Sequence, residues 1–172
     1  GAQLDATFIA PGRTLADYKL VAMDMDSTLI TIECIDELAD YAGIKPQIAE
    51  VTERAMRGEL DFEEALRSRV ALLKGLSENV IDQCLVERVV IMPGARALVQ
   101  TIRAHGGMAI LVSGGFTRFA DPVASEIGFN KAIANRLGIK DGVLTGRVEG
   151  SIVGAQTKRK ALMEIGRASC RE

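Results

Sequence analysis

A long helical block interrupts an alternation of strands and helices, and this order constrains the fold more than any other feature of the sequence. An apolar run at 18–23 predicts a first strand, and the pattern from about Ile32 to Val89 is helical. Later residues predict a helix over 95–104, a strand over 108–112, a helix over 117–127, a β-rich stretch over 137–153 with a hairpin turn at Asp141-Gly142, and a helix from Lys158. Strands separated by helices favour a parallel sheet. We therefore predict an α/β, Rossmann-like core with an inserted helical cap.

The domain boundaries follow from this order. We assign residues 16–32 and 90–163 to a discontinuous core and residues 33–89 to the cap, in which Asp61 and Glu64 have the spacing of a helix capping box. Residues 164–172 look like a translated DNA sequencing adapter, and we expect them to be a non-native tail, with the C-terminal part of the core missing. The alternative is a helix that Gly166 stops, followed by a polar tail.

Composition excludes several classes of protein. The formal net charge of the 172 residues is -2, which argues against nucleic-acid binding or membrane-surface binding, because both need a dense basic face. The apolar runs are too short to span a bilayer, and no signal peptide is recognisable. Cys34, Cys84 and Cys170 are widely spaced and His105 is the only histidine, so we expect no structural zinc site, plain buried thiols and a cytoplasmic location.

Two carboxylates follow the first predicted strand, in the sequence Asp24-Met25-Asp26-Ser27-Thr28. In an open α/β sheet the ligand lies beyond the carboxyl ends of the strands, so Asp24 is expected to face the crevice. Asp26 can lie close to it, and a hard divalent ion such as Mg²⁺ would relieve the repulsion between the two anions. The alternative is that both are ordinary turn residues.

Two later segments are suited to binding an anion. Ser113-Gly114-Gly115 follows a predicted strand, and glycines there would let backbone N–H groups approach a phosphate. Lys158 could neutralise a phosphate at the start of a later helix. Each segment also has an ordinary interpretation, since the first resembles a tight turn and the second a solvated helix face.

Arg69 belongs to an apolar stripe on its helix. It shares one face with Phe62, Leu66 and Leu73, and it has no acidic neighbour three or four residues away. A buried guanidinium needs an anion. The helical pattern alone leaves two possibilities open, a substrate carboxylate and a structural pair with a glutamate such as Glu37 or Glu53.

Together these motifs resemble the haloacid dehalogenase superfamily, whose members carry DxDST, a serine-glycine pair after a strand and a later lysine, in that order. The segments Ile32 to Leu38, Val51 to Phe62, Leu66 to Val70 and Ile91 to Gly94 resemble the phosphoserine phosphatase family in particular. The resemblance covers residues 18 to 163. It implies a Mg²⁺-dependent enzyme that hydrolyses O-phospho-L-serine through an aspartyl-phosphate, the last step of serine biosynthesis.

The resemblance also implies a role for each matching residue. Asp24 would be the nucleophile and Asp26 the general acid and base, both on the metal. Ser113, Gly114 and Lys158 would bind the phosphate. The serine moiety would contact four cap residues, Glu33, Met56, Phe62 and Arg69.

One departure and two alternatives qualify this expectation. The family has a fourth, acidic motif that completes the magnesium site, and nothing after Lys158 matches it, so we expect this chain to be inactive or weakly folded. The same residues would also serve a phosphotransferase that moves phosphate from phosphoserine to another hydroxyl group. A non-catalytic amino-acid-binding fragment is the second alternative.

Overall fold

The chain folds around one four-stranded sheet. The computed structural model describes Gly12 and residues 14–169. Its strands are β1 (Leu20–Met23), β2 (Met108–Phe116), β3 (Lys131–Lys140) and β4 (Val143–Glu149). They lie in the order β1-β2-β3-β4; β1, β2 and β3 are parallel, and β4 is antiparallel to β3. The predicted α/β class is confirmed.

Seven α-helices accompany the sheet in the described part of the chain. Four of them follow β1 directly, namely α1 (Cys34–Tyr41), α2 (Lys45–Met56), α3 (Phe62–Leu72) and α4 (Asn79–Glu87). The others are α5 (Ala95–Ala104), α6 (Thr117–Ile127) and α7 (Ala155–Ser169), and a short 3-10 helix (Leu15–Asp17) precedes β1. The helical block thus interrupts the chain between β1 and β2, where the sequence predicts it; its division from the core as a separate cap domain stays a prediction.

The start of α3 is held by the predicted capping box. The side chain of Asp61 accepts a hydrogen bond from the backbone N–H of Glu64 at 2.8 Å, and the Asp61 N–H donates to the Glu64 carboxylate at 2.9 Å. Two backbone donors at the helix terminus are thereby satisfied, an arrangement whose loss typically costs about 1 kcal/mol. The capping box orients α3 so that Ala65, Leu66 and Val70 are buried.

A hairpin supports the far end of α3. Asp141 and Gly142 both have positive φ, 53° and 78°, as a two-residue type I′ turn requires, and the predicted hairpin turn is therefore confirmed. The Gly75 N–H donates to the Leu144 carbonyl and the Leu144 N–H donates to the Leu76 carbonyl, each at 2.8 Å. These bonds attach the segment after α3 to β4.

Several predicted boundaries were wrong, among them the start of the first strand, which is Leu20 rather than residue 18, and the end of the β-rich stretch, which is Glu149 rather than residue 153. Strand β2 does not end at residue 112 but continues to Phe116, and the β structure begins at Lys131 rather than at residue 137. The physical reason is pairing, because Ile110 lies opposite Lys131 in the β2–β3 ladder and the ladder extends both strands beyond their apolar runs. Helix α7 begins at Ala155, three residues before Lys158.

The predicted tail overlaps the last helix. Helix α7 continues through Gly166 to Ser169, so Gly166 does not end it. Cys170 lies outside the described residues. The adapter origin of residues 164–172 stays a prediction.

The core lies between the sheet and the helices. On α6, Phe119, Val123 and Ile127 are spaced four residues apart and are buried on one face. Burial of each such side chain contributes about 1.5–3 kcal/mol. Cys34 and Cys84 are buried free thiols, as predicted. Within the described residues, none of the helices combines the length and the apolar character that a membrane span requires.

Candidate active site

A tight turn after β1 brings the two aspartates to one end of the sheet. Asp24 follows the last residue of β1, and the backbone N–H groups of residues 28–30 all donate to the Met25 carbonyl, at 2.8–3.2 Å. Ser27 has a φ of 53°, a left-handed conformation that is uncommon for a non-glycine residue and closes the turn. Asp24 and Asp26 consequently both face the same cavity.

This cavity has a volume of about 400 Å³ and is lined by residues from both the sheet end and the inserted helices. It gathers eight of the nine predicted site residues. The lining consists of Asp24, Asp26, Glu33, Ile35, Phe62, Leu66, Arg69, Ser113, Gly114, Gly115, Phe116, Gly154, Ala155 and Lys158.

The end of β2 forms one wall. Ser113 is buried, with 1% of its surface exposed, and its Oγ accepts a hydrogen bond from the Gly115 N–H at 2.9 Å. A Cβ atom at Gly115 would lie 3.1 Å from an Asp26 carboxylate oxygen, closer than most side chains tolerate. Glycine at this position therefore allows β2 to approach the aspartate turn.

Lys158 approaches Asp24 from another wall of the cavity. It lies in the first turn of α7, and its Nζ is 2.8 Å from Asp24 Oδ2. The other Asp24 oxygen accepts the Met25 N–H at 2.9 Å. Arg159 and Lys160 are exposed, whereas the Lys158 side chain is only 29% exposed, so Lys158 is not part of the solvated face of its helix.

The environment of Asp26 favours the protonated carboxylic acid. Burial raises the pKa of Asp26 to about 6, and the negative charges of Glu33 and Asp24 add to the increase. The Cys34 thiol donates a hydrogen bond to Asp26 Oδ1 at 3.2 Å, which partly offsets the increase in pKa. A carboxyl group with a pKa near 6 can both give and take a proton near neutral pH.

Glu33 and Phe62 form the side of the cavity nearer the inserted helices. Glu33 precedes α1, and its carboxylate accepts a hydrogen bond from the Ser27 hydroxyl at 2.6 Å. The ring of Phe62 lies over Gly114 and Gly154, since a Cβ atom at these two positions would meet the ring at 3.0 and 3.3 Å. The first residue of α3 thus lies against the predicted phosphate-binding segment at Gly114 and against the residue that precedes α7.

Arg69 faces the cavity without an acidic partner among the described residues. Its Nε makes a long hydrogen bond, 3.4 Å, to the carbonyl of Ala65 on its own helix. The two alternative partners are engaged elsewhere: Glu37 pairs with Arg88 at 2.5 Å and Glu53 with Arg57 at 3.0 Å. The structural pair that the helical pattern left open is therefore absent, and a guanidinium is available to a ligand.

Met56 is the predicted site residue that the structure does not bring to the cavity. It is the last residue of α2 and is 84% exposed. Its side chain points to solvent and does not line the cavity.

Several contributing residues have little signal in the sequence. The Ser27 hydroxyl donates to Glu33, and Cys34 donates to Asp26 from both its thiol and its backbone N–H. Asn135, on β3, is buried and bonds to the backbone of Gly114. The strand sequence KAIANRLGIK also contains charged residues, one of them adjacent, so it does not single out Asn135.

The donor atoms at the aspartate turn fit a hard divalent cation. Asp24 and Asp26 offer carboxylate oxygens, and the charge of Asp24 raises the pKa of Asp26. Magnesium is typically held by one or two carboxylates, with water and phosphate oxygens completing its shell. Among the described residues, no group of three or more His, Cys, Asp or Glu side chains is placed to hold a metal ion.

Known proteins resemble this chain over most of its length. The model of the haloacid dehalogenase-like hydrolase family matches residues 21–169. The phosphoserine phosphatase of Albidiferax ferrireducens is 50% identical over 160 residues, which are 90% of this chain and 68% of that protein. The phosphoserine phosphatase of Vibrio cholerae is 45% identical over 95% of this chain, which spans only 49% of that relative.

Two solved structures share the fold at high similarity. A phospho-aspartyl intermediate analogue of phosphoserine phosphatase superposes with a TM-score of 0.80 at 37% identity, covering 88% of this chain and 72% of that one. A substrate-bound phosphoserine phosphatase complex superposes with a TM-score of 0.80 at 36% identity, covering 88% and 71% of the two chains. With eight predicted site residues around one cavity and these likenesses over most of its length, the chain belongs to the haloacid dehalogenase-like hydrolase family and, within it, to the phosphoserine phosphatases.

Proposed function

We propose that this chain carries the catalytic site for hydrolysis of O-phospho-L-serine to L-serine and phosphate, the last step of serine biosynthesis, and that it acts in the cytoplasm. One observation carries the proposal: a single cavity joins two aspartates and a lysine to an arginine without an acidic partner among the described residues. Because the chain spans 68% of one relative and 49% of another, the activity of the whole protein is part of the proposal.

Asp24 is the nucleophile in this reaction. One of its carboxylate oxygens attacks phosphorus, a new P–O bond forms, and the bond from phosphorus to the serine oxygen breaks. Lys158, 2.8 Å from Asp24 Oδ2, orients the carboxylate in the free enzyme. When the phosphate enters, the same ammonium group binds a phosphate oxygen and stabilises the charge of the transferring group.

Asp26 moves the protons. In its neutral form it protonates the serine oxygen as that group leaves, and the resulting carboxylate then takes a proton from the water that hydrolyses the aspartyl-phosphate. In the metal-free protein a pKa of about 6 allows each protonation state to be populated near neutral pH. The Cys34 thiol holds Oδ1, so that Oδ2 is the oxygen beside Gly115 and the cavity.

The remaining groups bind and orient the substrate. Ser113 and the Gly114 N–H bind phosphate oxygens, and Arg69 binds the α-carboxylate with the two-pronged geometry of a guanidinium. Glu33 binds the α-ammonium group. Phe62 covers the phosphate end and excludes water. Asp24 and Asp26 would hold Mg²⁺, which when bound offsets the repulsion between the nucleophile and the phosphate.

The proposal is tested by phosphate release from O-phospho-L-serine in the presence of MgCl2. Because the family's fourth motif has no counterpart in the sequence, the assay uses both the chain itself and a fusion that adds the part of the Albidiferax ferrireducens relative beyond the matched region. Asp24→Asn should lower the rate roughly 1,000-fold or more. The matched control is Asp121→Asn, an exposed aspartate on α6, which should leave the rate unchanged.

Three outcomes would count against the proposal. An Asp24→Asn protein that releases phosphate at the wild-type rate would exclude the aspartyl-phosphate. A fall in free phosphate on addition of a hydroxyl acceptor, with the missing phosphate recovered as an ester of that acceptor, would favour the phosphotransferase alternative. Calorimetric binding of phosphoserine without turnover, in the chain and the fusion alike, would favour a non-catalytic amino-acid-binding protein.

A further inference from the structure

One buried amide side chain connects the two segments that supply the phosphate-binding groups. Asn135, on β3, is 1% exposed. Its Nδ2 donates to the Gly114 carbonyl at 2.7 Å, and its Oδ1 accepts the Val153 N–H at 2.8 Å. In the described part of the chain, Ser113 is the one other polar side chain buried to this degree.

The first bond satisfies a backbone carbonyl at an irregularity in the sheet. Val112 lies opposite Ile133 and Phe116 opposite Asn135, so four steps along β2 face only two steps along β3. The extra residues of β2 form an irregularity in the ladder over Ser113 to Gly115. A carbonyl in such an irregularity loses its regular backbone donor, and the Asn135 amide replaces it for Gly114.

The second bond fixes the entry to α7. Val153 lies between β4 and α7 and is buried. The Lys158 N–H donates to the Gly154 carbonyl at 2.9 Å, so Lys158 is one helical turn away from the segment that Asn135 holds. Asn135 thereby joins the Gly114 backbone directly to the segment that leads into this turn.

The two bonds require an amide. Only a side chain that donates from one atom and accepts at another, at this length, satisfies a carbonyl and an N–H together. A carboxylate would accept from Val153 but repel the Gly114 carbonyl, and an alkyl group would leave both backbone groups buried without partners.

We propose that Asn135 is a positioning residue for phosphate recognition. It sets the distance between the Gly114 N–H and the Lys158 ammonium group, and it does not itself line the cavity. This inference rests on the proposed function, because it assigns the phosphate to Gly114 and Lys158. It further implies that Asn135 influences the phosphate end of the site but not the end that holds the amino acid.

The test measures the two ends of the site separately. Calorimetry in MgCl2 gives the affinity for orthophosphate and, in a second titration, for L-serine. Asn135→Leu keeps the number and branching of the side-chain heavy atoms and removes both bonds, and Asn135→Ala serves if the leucine variant does not fold. We expect the orthophosphate Kd to rise about tenfold, the change that follows from losing a buried hydrogen bond, while the L-serine Kd stays unchanged.

Leu137→Ala is the matched control. Leu137 lies two residues further along β3, is 4% exposed and does not line the cavity, so its truncation lowers Tm without a reason to affect either ligand. Unchanged orthophosphate affinity in the Asn135 variants would overturn the inference. The inference would also be overturned if the Asn135 variants lost equal affinity for orthophosphate and L-serine, or if Leu137→Ala lost as much orthophosphate affinity as they do.

Failure of the proposed function gives a different result. A wild-type protein that binds neither orthophosphate nor phosphoserine refutes the phosphatase proposal and the role of Asn135 with it. A wild-type protein that binds both ligands, with Asn135 variants that bind orthophosphate equally well, refutes the role of Asn135 alone.

Discussion

Arg69 offers the sharpest test of substrate recognition, because the structure leaves its guanidinium facing the cavity with no acidic partner among the described residues. Replacement by methionine removes the charge and keeps an aliphatic stem of similar length on α3. Hydrogen bonds to a charged group contribute about 1.5–3 kcal/mol, and 1.4 kcal/mol is a factor of ten. Arg69→Met should therefore lower kcat/KM for O-phospho-L-serine roughly 10- to 150-fold.

The substrate itself supplies the decisive comparison. Phosphoethanolamine has the phosphate and the ammonium group of phosphoserine but lacks the carboxylate. If Arg69 binds that carboxylate, Arg69→Met should leave kcat/KM for phosphoethanolamine unchanged. The effects of removing the guanidinium from the protein and the carboxylate from the substrate should then not add. The assay is phosphate release at substrate concentrations well below KM, with both substrates and both proteins.

Arg67→Met controls for the loss of a positive charge on α3. Arg67 lies on the same helix, is about half exposed and pairs with Glu63 at 4.0 Å, outside the cavity. It should behave as wild type with both substrates. If Arg69→Met lowered kcat/KM equally for phosphoserine and phosphoethanolamine, Arg69 would not be the carboxylate-binding residue, because loss of a merely structural arginine would affect both substrates.

Two further predictions concern stability. Burial raises the pKa of Asp26 to about 6, so the folded state holds the Asp26 proton more tightly than the unfolded state does. In EDTA, the free energy of unfolding should therefore fall as pH rises from about 4 through 6, by at most about 3 kcal/mol. Asp26→Asn should lack this component in urea unfolding, and identical pH profiles would contradict the assignment. Gly146 and Gly150 have φ of 76° and 75°, but only at Gly146 would a Cβ meet other atoms, 2.9 Å from Lys74 Cβ and 3.2 Å from the Ala71 carbonyl. In thermal unfolding, Gly150→Ala should lower the free energy of unfolding by about 1 kcal/mol, and Gly146→Ala should lower it by about 1–3 kcal/mol more than Gly150→Ala does. Equal losses of stability in the two variants would show that the packing of the hairpin on α3 contributes nothing.

The sequence by itself determined those features whose cause is local. The capping box at Asp61 and Glu64 and the hairpin turn at Asp141-Gly142 depend on hydrogen bonds and φ angles within four residues, and both were predicted correctly. The α/β class followed from hydrophobic periodicity, and the candidate site residues came from motif resemblance, which condenses long-range information that the local pattern lacks.

Distant contacts decided the rest. Periodicity left Arg69 equally divided between a structural pair and a ligand, and the structure shows Glu37 and Glu53 paired with other arginines. The helical pattern could not show that Met56 leaves α2 toward solvent, because its direction depends on where the neighbouring helices pack. The extent of β2 and β3 depended on their pairing with each other rather than on either apolar run.

Asn135 illustrates the physical reason most clearly. Its partners, Gly114 and Val153, are 21 and 18 residues away along the chain, and both are backbone groups that carry no side-chain signature. Residue types and spacing can indicate which chemistry a chain contains, here two aspartates and a lysine. The relative placement of those groups depends on long-range backbone bonds, and these form only when strands and helices have packed together.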